Sequence, residues 1–82
     1  METAKLLEIL TVATSAYYAN QRFIAKFSDA IEMEDATYYE NMADIANAKY
    51  RAYLNCYQII TGKTLMGIES VITEIGLLSN QL

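Results

Sequence analysis

Six carboxylates, Asp29, Glu32, Glu34, Asp35, Glu40 and Asp44, fall within the stretch DAIEMEDATYYENMAD, which contains no Lys or Arg. They make up more than half of the ten acidic residues in the chain. Carboxylates at this density can hold a hard divalent cation, polarise a helix terminus, or face a basic partner. Metal chemistry needs them in sets on one helix face. Glu32-x-x-Asp35 and the i, i+4 pair Glu40 and Asp44 have such spacing. A second helix of paired acids is missing, because Glu69 and Glu74 stand five apart. An EF-hand loop is excluded as well, since the stretch lacks the central glycine and the alternating oxygen ligands. No metal site and no cofactor are expected.

Other catalytic equipment is scarce. The chain has no histidine, which removes the usual general base and the commonest transition-metal ligand. Ser–His and Cys–His nucleophiles are thereby impossible. Cys56, the single cysteine, allows no internal disulfide and no zinc cluster. It falls among apolar residues at helical spacing and is expected to be buried as a small hydrophobe. The chain therefore reads as non-enzymatic. The Glu32-x-x-Asp35 element does resemble that of the all-helical nucleotide pyrophosphohydrolases, and this implies Mg²⁺-dependent phosphohydrolysis as a third-ranked reading. The resemblance extends over one four-residue element and no further.

Charge and size narrow the partners. A net charge of −4, with only six Lys and Arg, opposes direct nucleic-acid binding, which needs a basic footprint. The longest stretch without charge, Ile9 to Gln21, is too short for a bilayer, which takes about 20 apolar residues. The N-terminal METAKLLEIL has no basic region ahead of its apolar residues and places Glu8 among them, so it does not read as a signal peptide. A cytoplasmic, reducing setting is expected. At 82 residues and 54% hydrophobic, the chain has room for one domain. It also has more apolar surface than one small fold easily hides.

Helices must position these groups. No proline occurs, no glycine precedes Gly62, and apolar residues recur at steps of three and four. Leu6, Leu10, Ala13, Tyr17, Ile24 and Phe27 form one seam of the first helix, with Ile9, Val12, Ala16, Ala19 and Phe23 beside it. The second helix repeats the arrangement. Tyr39, Ala43, Ala46, Tyr50, Tyr53 and Tyr57 lie next to Tyr38, Met42, Ile45, Ala52, Cys56 and Ile59. Gly62 suits a left-handed helix stop, and Thr64 suits the cap of a third helix. Unbroken, the first two helices would form a rod of about 90 Å. Asp29-x-x-Glu32 and Thr37-x-x-Glu40 both have capping spacing, and the turn is placed near residues 32 to 36.

The expected fold is all-α: a long antiparallel helical hairpin, about residues 3–32 and 36–61, with a shorter third helix at about 64–80. Homodimerisation would complete a helical bundle from the surplus apolar faces. A turn near residue 34 gathers the acids at one tip, with Lys26 opposite Asp44. Seven tyrosines add amphipathic contact surface, and Tyr18, Tyr39 and Tyr53 are the candidates for an intermolecular role. The function expected is an inhibitor or regulator that occupies a basic, nucleic-acid-binding surface of a partner protein through the acidic tip. Small phage and mobile-element inhibitors, anti-CRISPR proteins among them, are similar in size, charge and helicity. The alternative is a structural or chaperone-like adaptor that binds a partner helix on its tyrosine-rich face.

Overall fold

The computed structural model describes residues 2–82, and it is all-helical: α1 (Thr3–Asp29), α2 (Met33–Thr61) and α3 (Ile68–Asn80). No strand occurs among the described residues. α1 runs without Gly or Pro and stops where Ala30 turns extended, its N–H bonded to the Phe27 carbonyl at 3.2 Å. Lys26 in its last turn complements the negative helix end. The connection to α2 is residues 30–32, earlier than the sequence suggests. Asp29 is the last helical residue rather than a cap, and Thr37 lies inside α2. The extended Glu32 occupies the N-cap without a side-chain cap bond, and Glu34 and Asp35 fill the first turn. There the macrodipole favours them.

α2 ends as expected at Gly62, whose φ of 72° is left-handed and whose N–H reaches the Gln58 carbonyl at 2.8 Å. α3 begins later than expected, because Gly67, with φ 84°, takes the cap position in place of Thr64. The longer connector has a packing reason. It carries Leu65 back onto the core, and Gln58 Oε1 accepts the Leu65 backbone N–H at 2.8 Å.

The core sits at the end of the molecule away from the α1–α2 turn. Leu10 from α1, Tyr57 from α2, and Val71 and Leu78 from α3 are buried together. Leu6, Leu7, Ile9, Leu54, Ile68 and Ile75 pack around them. Towards the turn only α1 and α2 remain, joined through Ala13, Ala16, Ala43 and Ala46, all buried. These small side chains let the two backbones approach. Asn20 Nδ2 donates to the Ala43 carbonyl at 2.7 Å, a distance that bulkier residues there would prevent. Tyr17 meets Tyr50 edge-on at 5.4 Å, and Phe23 stacks on Tyr39 at 6.4 Å.

The molecule is elongated, 47 × 20 × 19 Å, with a radius of gyration of 14.8 Å. A compact chain of this length would have roughly 12 Å. Its accessible surface is 5590 Å², whereas a compact monomer of this mass exposes roughly 4,900 Å². Much of the excess is apolar. Tyr38, Ile45 and Ile59 of α2 are exposed, at 55%, 62% and 82%. Cys56 is exposed as well, contrary to its expected burial. α3 packs on α1, so much of the second apolar seam of α2, Tyr38, Ile45, Cys56 and Ile59, stays exposed. No helix is long and apolar enough to cross a membrane.

Candidate protein-binding surfaces

The short turn separates the six carboxylates into two groups. Asp29, Glu32 and Asp35 line a cleft at the tip together with Lys26, Ala30 and Tyr39. Ile31 lines it as well, and it is 99% exposed. Glu34 is exposed in the same first turn of α2, beside Met33 at 83% exposure. The tip is therefore acidic and carries two exposed apolar side chains, because a three-residue connection leaves Ile31 and Met33 no helix to cover them.

Glu40 and Asp44 belong elsewhere. They line a lateral groove with Asn20, Ile24, Phe27 and Asn47, one to three turns along α2 from the tip. Lys26 does not face Asp44 as expected. Its Nζ lies 5.6 Å from the centre of the Tyr39 ring, a cation–π contact, and it forms no ion pair among the described residues. The early end of α1 shifts Lys26 towards Tyr39 and the tip cleft. All six carboxylates stand without a salt bridge among the described residues, and none of the residues in the tip connection is buried.

The tyrosine candidates differ among themselves. Tyr18 is 45% exposed and packs edge-on against Tyr17 at 5.4 Å. Tyr53 is 37% exposed on α2. Tyr39 is half-buried between Phe23 and Lys26, so it is part of the wall that supports the tip. Tyr50, against Tyr17, has its phenol pKa raised by burial and then by the neighbouring Tyr17.

On the opposite side of the layer runs a second groove. Val12, Ala16, Ala19, Phe23, Met42 and Ile45 form its apolar floor, and Arg22 and Lys49 supply its only charges. Sequence reasoning identified this seam as apolar but had no means of placing it outside the monomer's own packing.

One polar cluster escaped the sequence reading altogether. Glu74, 5% exposed, accepts a hydrogen bond from the buried Tyr57 hydroxyl and another from Lys63 Nζ at 2.8 Å. The Lys63 bond and then the Tyr57 bond hold the Glu74 carboxyl below the usual carboxylate range, against the effect of burial. Burial, then the bond to Glu74 and its charge, push the Tyr57 phenol far up. The triad ties α2, the connector and α3 together, and Glu74 also lines an open groove with Thr64, Leu65, Glu69, Ser70 and Thr73. Among the described residues no group of three or more acidic or thiol side chains gathers as a metal-binding set. The chain matches no family model, no curated protein and no solved structure.

Proposed function

We propose that the chain is a non-enzymatic protein-binding module, an inhibitor or regulator whose tip occupies a basic surface of a partner. In this reading α1 and α2 form an antiparallel hairpin with α3 laid over its base. The reversed order of contacts supports the hairpin: Leu10 shares a cluster with Tyr57, Tyr17 touches Tyr50, and Phe23 touches Tyr39.

One observation carries the functional reading. Ile31 and Met33, at 99% and 83% exposure, stand in the same short stretch as the carboxylates Asp29, Glu32, Glu34 and Asp35, none of which has a salt bridge among the described residues. An apolar anchor within a charged rim is the layout of a binding hot spot, where desolvated centre residues carry affinity and rim charges set orientation and encounter rate. Basic surfaces of this size commonly hold phosphates, and carboxylates on a rigid helix end compete for the same cations. Such competition is how a small acidic protein in the cytoplasm blocks a nucleic-acid-binding protein.

The test compares proteins retained from cell extract by the wild type and by the variant Glu34→Lys/Asp35→Lys. Basic proteins held by the wild type, released by added DNA and lost with the variant are expected. Retention of the same proteins by the variant, with helical content unchanged, removes the reading.

A second reading, a helical adaptor, is favoured by the exposed seam of Tyr38, Ile45 and Ile59. In that case Ile45→Asp would abolish partner binding, while charge reversal at the tip would leave it intact.

A further inference from the structure

Two grooves, one on each side of the α1–α2 layer, have linings of opposite charge. At 100° per residue, Val12, Ala19 and Phe23 of α1 fall on one side of Tyr17 and Asn20, which touch α2. The groove on the other side takes Ile24 and Phe27 from the last turns of α1. On α2, Met42, Ile45 and Lys49 fall to one side of Ala43 and Tyr50, with Glu40, Asp44 and Asn47 to the other. The first side is a groove whose charged residues are Arg22 and Lys49, with no carboxylate in its lining. The second is a groove that presents Ile24 and Phe27, 45% and 42% exposed, with Glu40 and Asp44 and no cation in its lining. None of these four charged residues has an ion-pair partner among the described residues.

We propose that these sides are complementary to each other, and that the chain associates head to tail with further copies of itself. The basic groove of one copy receives Ile24, Phe27, Glu40 and Asp44 of the next. The occupant is a second copy because this chain itself displays the matching surface, an apolar pair flanked by carboxylates. Charge also selects the mode. Groove against groove would bring the cations of two copies together with no carboxylate, and acidic side against acidic side would do the converse. Opposite sides neutralise each other while hiding Val12, Phe23, Met42 and Ile45 from water. Such a contact is heterologous, so association does not end at a dimer unless a ring closes. The tip acids take no part, and the contact stands or falls independently of what the tip binds.

Light scattering on a sizing column, from roughly micromolar to hundred-micromolar protein, tests this. The average mass should rise above the 9.2 kDa of one chain with concentration, pass that of a dimer, and fall back as salt is added. R22E/K49E alone and E40K/D44K alone should each associate at least roughly tenfold more weakly. All four positions are exposed, so both variants should keep the helical content of the wild type. Mixed one to one, the two variants should associate again, because the reversed charges match once more. A wild type that stays at 9.2 kDa throughout overturns the proposal. So does a fixed dimer that survives E40K/D44K, which would mean that the groove faces itself. Failure of the mixture to associate overturns it as well.

Discussion

The Tyr57 hydroxyl, buried between the three helices, donates its hydrogen bond to the carboxylate of Glu74, whose Oε2 also takes the Lys63 ammonium at 2.8 Å. The bond joins α2 to α3, and the connector between them adds the Lys63 bond to Glu74 and the bond from the Ser70 hydroxyl to the Met66 carbonyl at 2.9 Å. Its strength depends on both partners: a phenol that stays protonated and a carboxyl that stays ionised.

Removing only the hydroxyl tests that bond. Tyr57→Phe keeps the ring in the core but leaves Glu74 with Lys63 alone. A loss of about 1.5–3 kcal/mol is expected, the range for hydrogen bonds to charged groups. Denaturant unfolding of the two proteins measures it. Tyr57→Ala also removes the ring and should cost about 3–5 kcal/mol, enough to threaten the fold of so small a chain. Loss of partner binding in such a variant would therefore report unfolding rather than a lost contact.

The same pair sets the pH limits of stability. Glu74 titrates below its ordinary range when folded, so its contribution is present above the usual carboxylate pKa and is lost as pH falls through the depressed value. Tyr57 titrates above its ordinary range, so its contribution is present below the usual phenol pKa and is lost as pH rises past it. Thermal melts across pH should fall on both limbs. Glu74→Gln should flatten the acid limb, and an ultraviolet titration should show one tyrosine ionising only as the protein unfolds.

Cys56 should react with a maleimide in the folded protein as quickly as in denaturant, since its side of α2 is uncovered. Protection of the thiol in dilute native protein would show that α2 is rotated from the orientation described.

Close approach of α1 and α2 depends on alanines at the seam. Ala43→Leu should force the helices apart, break the 2.7 Å bond from Asn20 to the Ala43 carbonyl, and cost about 1–3 kcal/mol. Ile31→Ser, at a side chain that touches almost nothing, should leave stability unchanged within about 0.5 kcal/mol. Unfolding curves for the pair separate the packing role of one from the surface role of the other.

Local chemistry made the helices readable before any coordinates. Three-and-four spacing, the absence of Pro and the late first Gly determine three helices, and Gly62 determines the end of α2 because only glycine enters the left-handed region cheaply. The turn was less legible. Asp29 and Thr37 both offered capping spacing, and neither caps; α1 gives way to α2 through the extended Ala30 and Glu32, and the acids divide between the tip and a lateral groove.

By itself the sequence determined that each long helix has two adjacent apolar seams, since periodicity is a property of one helix alone. Which seam is buried was decided by tertiary structure. α3 packs against Leu10 and Tyr57 on one side of the layer, so Tyr57 is enclosed while Ile45, Cys56 and Ile59 stay in water. The pairing of Tyr57 with Glu74 was likewise out of reach of the sequence. The two residues stand 17 apart, and only the path of the connector past Gly62 and Gly67 brings a carboxylate under a buried phenol.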